Sequence, residues 1–592
     1  MEVDPQSRDV HPIDEIVPQS QPLVGQIPNP SGGYSYQISD LESLLRFLCL
    51  GVNDRVYRAN TQHTEFGRAN VNFIDRLIQN GRGSEVIRCI RDVSIQGRAC
   101  KHDTTLYALA ICARSNDLHT KRSAYAILND VCRIPTHLFQ FVKYCEELFE
   151  HNSGWGRAHR MGISNWYNSF QSKDPQDHKS AKKLAYLVTK YKRRHGWTHR
   201  DAVRLAHVHP RTTDIRLIIE YIFGENITVN ITPNQASIGE FLDATRRAKR
   251  CNDVEEIRSL IVKYHLSREH IPTRFLNNIA VWEVLLRTMP FTAMLRNLGK
   301  ITSLGMLNPN TNASSDLWIT IILQRLGQLN SDGLNCQKIH PLTILIALKH
   351  YEKGHGQTRG LVWTPNTQIV NALKEAFNQL TKICPPEGQS YLMAVSVGES
   401  MQKNICGSSI KACEAAAAMV LSTVNTADVE VIIFANSIED ACISSIARGD
   451  NLDSISEKIK RVKELCQQSP GNVNEDLAVP FKWAASRKKR FDVIVVLTDS
   501  LTSCGYMHPA EMLKQYMRYV AVDEYHLIVV GMTDNDYTIA SPIDMNALDV
   551  VGFDLHTPSV IKNFVNDFRS DPSIQTDNPY VDLEEMENVT LY

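Results

Sequence analysis

None of the short signatures of common enzyme chemistry occurs in this chain. It has no phosphate-cradling P-loop, no Gly-x-Ser-x-Gly elbow, no His-Glu-x-x-His pair and no Gly-x-Gly-x-x-Gly followed by an acid. Their absence points away from an enzyme. The 14 cysteines include no Cys-x-x-Cys pair and no Cys/His set with zinc-finger spacing. Most stand in apolar runs such as Phe47-Leu-Cys-Leu, where a thiol behaves as a small hydrophobe, and free thiols suit a reducing compartment. No run approaches the roughly 20 apolar residues of a membrane span. The opening Met1-Glu-Val-Asp-Pro has no apolar signal core. The expectation is a cytoplasmic protein with a nuclear pool and no membrane attachment. Net charge is nearly absent as well: 64 Lys and Arg oppose 65 Asp and Glu. So balanced a chain draws no polyanion by its overall field, and any nucleic-acid site has to be a local patch.

At 592 residues the chain exceeds one core. Residues 1–30, rich in Pro, Gln and Ser, read as a disordered arm. From about 40 to 380, apolar residues recur at i, i+3, i+4, as in Leu41-Glu-Ser-Leu-Leu-Arg-Phe-Leu-Cys-Leu, which stops at Gly51. Short helices joined by short turns predict stacked helix pairs, an α-solenoid of the HEAT or armadillo kind, although no clean repeat is visible. Near Cys384-Pro-Pro-Glu-Gly the pattern changes. Apolar β-branched runs at Tyr391, Val429, Phe491 and His526 alternate with helical stretches. That alternation predicts a doubly wound parallel sheet. Residues 571–592 carry six acids and no Lys or Arg and read as a flexible acidic tail. The expected units are therefore 1–30, 31–384, 385–570 and 571–592, in an α plus α/β class.

Residues 189–210 break the charge balance. Six Lys or Arg, four His, Tyr191 and Trp197 stand beside one acid, Asp201. Cations interleaved with rings suit a nucleic-acid backbone and its unstacked bases. The spacing predicts a helix over 185–192, a break at Gly196 and a helix over 199–206 capped by Thr198. Lys190, Arg193 and Arg194 would share one side of the first, and Arg200, Arg204 and His207 one side of the second. A solvated charged face is the alternative. His195 and His199 have the spacing of two metal ligands, but no Cys or carboxylate completes a set. A second basic-aromatic stretch holds Trp155, Arg157, Arg160 and Trp166, with both Trp rings more suited to a core. In the α/β part, ligands belong at the carboxyl ends of the strands. Ser396, Ser400, Asp499 and Ser500 gather there, enough oxygen for a weak divalent cation and equally for loop capping.

These segments together resemble a known family. Gly33-Tyr34, Arg46-Phe-Leu-Cys, Gly81-Arg-Gly-Ser-Glu-Val-Ile, Cys132-Arg-Ile-Pro-Thr-His-Leu-Phe, Trp155-Gly-Arg-Ala and Trp166-Tyr-Asn are similar to the Ro ribonucleoprotein autoantigens, which carry a TROVE domain. Met289-Pro-Phe-Thr-Ala-Met-Leu-Arg-Asn-Leu-Gly-Lys, Ile339-His-Pro and Gly354-His-Gly continue the likeness, which runs from about 33 to 568. The resemblance implies a HEAT-like helical ring followed by a Rossmann-like von Willebrand factor A domain. It also implies an RNA-binding protein rather than an enzyme. Y RNAs would bind the outer ring, and single-stranded 3′ ends of misfolded small RNAs, such as defective 5S rRNA, the central hole. The implied role is RNA quality control and stress survival, by a monomer working with an exonuclease or other RNA-processing proteins. Family RNA contacts fall on Lys190, Arg194 and His207; Lys192, Arg193, Arg204, Arg157 and Arg160 are added here from charge and spacing. A protein-interaction scaffold without an RNA ligand is the alternative function.

The A domain departs from its family. The usual metal motif, Asp-x-Ser-x-Ser with a distant Thr and Asp, reads Ser396-x-Gly398-x-Ser400 here. Gly471-Asn-Val-Asn-Glu-Asp offers no hydroxyl where the Thr belongs, and only Asp499 remains of the acids. The expectation is a degenerate site that holds a divalent cation such as Mg²⁺ weakly or not at all, with no firm cofactor.

Overall fold

The computed structural model describes residues 16–51, 71–99, 101–148, 155–171, 178–224, 236–308, 313–327, 339–356, 360–381, 389–405, 410–421, 429–437, 450, 452–468, 475–521, 525–552 and 557–567. The expected domain change at Cys384 and the acidic tail 571–592 lie outside these residues.

Helices account for nearly all described structure between Asp40 and Thr381. Each buries one stripe. Asp40–Leu50 opens with a capping box from Ser39 and Glu42 and buries Leu44, Phe47 and Leu48. Such faces merge into one core from Leu44 to Leu242, which contains Trp155 and Trp166 as expected. A second core takes Leu50 from the end of the first helix, resumes at Ala244 and continues into the sheet domain. The helical array bends back towards its start. Ser94, His102 and Arg133 from the early part of the array and Thr292, Arg296 and Thr343 from the late part line one cavity of about 420 Å³.

The α/β part is a five-stranded parallel sheet. Its strands are β5 (Tyr391–Ser396), β6 (Val429–Phe434), β7 (Val493–Thr498), β8 (His526–Gly531) and β10 (Ala547–Val551), in the order β10-β8-β7-β5-β6. The period of two sorts their side chains. Met393, Val395, Val431 and Ile433 join the core of the late helices. Leu392, Ala394, Ile432 and Val496 pack on helices Val479–Arg487 and Pro509–Val520. With both faces covered, the strands are apolar throughout. The chain leaves β5 for β6 on one side and reaches β7 on the other. The crevice of this sheet therefore lies at the carboxyl ends of β5 and β7, where Ser396 and Asp499 stand.

The disordered arm expected over residues 1–30 does not hold for 16–30. β1 (Gln26–Pro28) pairs antiparallel with β2 (Tyr34–Gln37), which pairs with β9 (Tyr537–Thr538). Residues 16–38 thus form a strap on the sheet domain, and 31 is no boundary. Polar side chains hold it. Buried Gln19 donates to Asp476 Oδ1 and to the Met507 carbonyl, both at 2.7 Å. Asn29 donates to the Thr502 carbonyl at 2.9 Å, and the Ser35 hydroxyl donates to the Ser500 carbonyl at 2.8 Å. Composition made this segment look unstructured because its partners lie more than 450 residues away.

Candidate nucleic-acid interface

The basic segment is built around a hairpin rather than a helical corner. The first helix, Lys179–Lys190, ends two residues earlier than expected. β3 (Arg193–Arg194) then pairs antiparallel with β4 (Trp197–Thr198). His195 and Gly196 between them have φ of 51° and 86°. A two-residue turn with both central φ positive matches the twist of a hairpin and favours glycine. Gly196 is thus the turn residue. Arg193 and Arg194 do not continue the Lys190 face; as neighbours on a strand they point to opposite sides. The second helix, His199–Leu205, is capped as expected: Thr198 accepts from Asp201 N–H, and Asp201 reaches back to Thr198 N–H.

Lys190, Lys192 and Arg194 line one pocket with Arg268, Glu269, Ile271, Thr273 and Leu276. Lys190 is half-buried. Its ammonium lies 5.3 Å from the centroids of both the Tyr186 and Tyr191 rings, and 3.7 Å from Glu269. His270 fixes the far wall. It is buried, its ring packs edge-on to Tyr186, and its Nε2 lies 3.0 Å from the Thr189 hydroxyl. Arg193, Arg204 and His207 are exposed and stand outside the pocket lining. His207 has φ 49°, two residues past the helix end at Leu205. This left-handed conformation costs a β-carbon residue about 1 kcal/mol and is glycine's usual place. A histidine kept there points to a use for its side chain.

Arg157 and Arg160 project from the exposed start of helix Arg157–Asn168. Trp155 packs 5.5 Å from Trp197 and so anchors this stretch beside the hairpin. Trp197 is half-buried against it, serving the core rather than an open stacking face. His199 is buried, with Nδ1 2.8 Å from the Tyr167 hydroxyl, and burial pushes its pKa down to about 3. It is a core histidine, and no group of three or more His, Cys, Asp or Glu suited to a metal occurs among the described residues. Sequence reasoning passed over Arg268 and over Lys249, which crowds Lys192. They lie 50 to 80 residues downstream, and no local pattern joins them to the basic segment.

The sheet crevice also holds more than the sequence suggested. Glu475 comes from the segment where a Thr was sought. Its buried carboxylate fills the space that a side chain at Gly398 would need and accepts from the Ser396 hydroxyl and the Gly398 N–H. Asp499, also buried, accepts from Leu501 N–H at 3.0 Å through Oδ1, while its Oδ2 has no partner among the described residues. Burial, then Asp499 and Asp476, push the Glu475 carboxyl well above its ordinary range; burial pushes Asp499 up to about 6. The second carboxylate missing from position 396 is thus supplied from position 475. Ser400 is half-buried on the turn Ser400–Gln402. The donor set, two carboxylates with the hydroxyls of Ser396 and Ser500 beside them, fits a hard cation in chemistry.

Helical array, hairpin and A-domain sheet define the class. Residues 27–250 and 260–359 match the TROVE domain model, and 390–565 match the Ro60 vWA domain. The chain belongs to the TROVE family. It is 30% identical to the RNA-binding protein RO60 of Caenorhabditis elegans, over 91% of this chain and 90% of that one. To the RNA-binding protein RO60 of Deinococcus radiodurans it is 31% identical, over 94% and 98%. The crystal structure of the Deinococcus radiodurans RO (RSR) protein superposes with a TM-score of 0.62 at 29% identity, covering 89% of this chain and all of that one. None of these matches carries an enzymatic name.

Proposed function

We propose that this chain binds RNA on the surface formed by Lys190, Lys192, Arg193, Arg194, Arg204 and His207, with Arg157 and Arg160 at its margin. The observation that carries the reading is the pocket in which Lys190, Lys192 and Arg194 converge. Both relatives named above are called RNA-binding proteins. On this surface a structured small RNA of the Y class is positioned chiefly through phosphates. A second mode takes single-stranded 3′ ends of misfolded RNAs into the interior of the array; the cavity lined by Arg133 and Arg296, where early and late parts of the array meet, supports it by its charge. The role is RNA quality control by a cytoplasmic monomer, with RNA-processing proteins as partners.

Lys190→Ala combined with Arg194→Ala should weaken binding of a structured small RNA at least tenfold near 0.1 M salt. The slope of log K against log salt should fall by about two. Gel-shift titrations over a salt series test this; unchanged affinity would remove the assignment. His207→Gly should separate site from scaffold, stabilising the helix end slightly while weakening RNA binding.

The A-domain crevice holds at most a weak divalent cation in this reading. The Ser396 hydroxyl and Gly398 N–H already bind Glu475, so a cation must displace them. Isothermal titration with Mg²⁺ should give binding no tighter than about millimolar, at the weak end for oxygen-ligated sites, and none in Glu475→Gln. Tight stoichiometric binding would overturn it.

A further inference from the structure

The pocket beside the hairpin carries more positive charge than its own walls can balance. Lys190 has Glu269 at 3.7 Å. Lys192, Arg194, Lys249 and Arg268 form no ion pair with an acid among the described residues. Three separate elements bring them together. Arg194 comes from the hairpin and Lys192 from the residue just before it, Lys249 from the last turn of helix Ala236–Arg250, and Arg268 from the short turn Arg268–His270. The convergence is fixed by buried contacts: His270 locks that turn against Thr189, and Phe241 of the long helix packs on the same imidazole. Compensation of helix dipoles accounts for a cation in the last turns of Lys179–Lys190 and Ala236–Arg250. It does not account for Lys192, Arg194 or Arg268, which lie outside any α-helix.

The cavity measures about 330 Å³. That leaves room for several waters, and so for a phosphate group. Its floor is apolar, with Ile271 and Leu276. Lys249 does not itself line the pocket; it stands against Lys192, which does. Lost hydration and the neighbouring Lys192 together push Lys249 down to about 8. Two ammonium groups held side by side favour an anion between them, and a phosphate offers acceptor oxygens to each.

We infer that this pocket is a receptor for one RNA phosphate group, with Lys249 and Arg268 as ligands beside Lys192 and Arg194; the inference rests on the RNA-binding reading above. A terminal phosphate and an internal phosphodiester share this chemistry. The recognition is of the phosphate, so it adds affinity and register rather than base sequence.

The test uses the full chain and one structured small RNA prepared with a 5′-triphosphate, a 5′-monophosphate or a 5′-hydroxyl. Lys249→Gln and Arg268→Gln are each expected to weaken binding several-fold and to lower the salt slope by about one. Equal wild-type affinity for all three RNAs would identify the ligand as an internal phosphate. A preference for phosphorylated ends, lost in both variants, would identify it as a terminal one. Either result supports the pocket. Unchanged affinity and slope in both variants, while the Lys190 and Arg194 pair of substitutions weakens binding, would overturn the pocket and leave the RNA reading intact. If the wild-type chain binds no RNA, the functional reading falls, and inorganic pyrophosphate judges the pocket by itself. A rise in melting temperature present in the wild type and absent from both variants supports it, and no rise in the wild type overturns it.

Discussion

Acidification from pH 7 to pH 5 should cost the helical array about 6 kcal/mol. Three fully buried histidines, His159, His199 and His270, carry the effect. Burial is the first cause in each, pushing their pKa values down to about 3, 3 and 4. In the unfolded chain each imidazole titrates near 6.5. A base whose folded pKa is depressed is neutral in the folded state and charged in the unfolded one as pH falls. Stability is therefore fully present above pH 6.5 and is lost progressively between 6.5 and the folded values. At pH 5 each ring contributes a loss of about 2 kcal/mol, a large part of the 5–15 kcal/mol that holds a domain together. Their partners fit the neutral form: His159 Nδ1 lies 3.1 Å from the Tyr125 hydroxyl, and His199 Nδ1 2.8 Å from that of Tyr167. The half-buried His102 and His137, with ring centroids 4.5 Å apart, add to the same trend. Glu475 and Asp499 act with the opposite sign, but they lie in the sheet domain. Circular dichroism at 222 nm, with urea titrations at pH 7, 6 and 5, measures the loss. His199→Gln, which cannot become charged, should move the acid midpoint down. A urea midpoint independent of pH over this range would refute the account.

Some of this was legible in the sequence, and the reasons are local. The helix Asp40–Leu50 shows because its apolar stripe and its Gly51 stop lie within a dozen residues. The strands β5, β7 and β8 showed because a parallel strand covered on both faces is apolar throughout. The hairpin β3–β4 did not show. Two-residue strands have no periodicity, and His195-Gly196 reads equally as a helix break. The part of the strap over 16–30 reads as disorder because its stabilising groups are polar and their partners are distant in sequence. The same limit applied to the sites. Lys190, Lys192 and Arg194 are adjacent in sequence and were found. Arg268 reaches the pocket only through the packing of His270, and Lys249 only by standing against Lys192; neither shows in the local sequence. Glu475 stood in view, but the motif there calls for a hydroxyl, so a carboxylate that takes over the acid's charge from another position went unnoticed.

Arg46→Ala should destabilise the chain by about 3–5 kcal/mol, because it removes one partner of a buried ion pair. Arg46 belongs to the first helix of the array and is completely buried. Its Nη2 donates to both carboxylate oxygens of Asp549 on β10, each at 2.8 Å. Nη1 donates to the Asn535 carbonyl, to Asn535 Oδ1 and to the Tyr537 carbonyl, at 3.1, 2.9 and 2.9 Å. Gly531 on β8 permits this approach, since a β-carbon there would lie 2.8 Å from the guanidinium carbon. The side chain thus ties the start of the helical array to the far edge of the A-domain sheet, and also bonds the loop leading into β9, on which β2 of the strap pairs. Without it, Asp549 keeps a charge that burial already disfavours, and two carbonyls lose a donor. The expectation turns on the unpaired partner rather than on any large net value of the pair. Replacing both, as Arg46→Met with Asp549→Leu, should recover most of the loss. Urea denaturation of the two single variants and the double variant supplies the coupling energy. A double variant as unstable as the sum of the singles would show that Arg46 acts through its carbonyl bonds, with Asp549 a bystander.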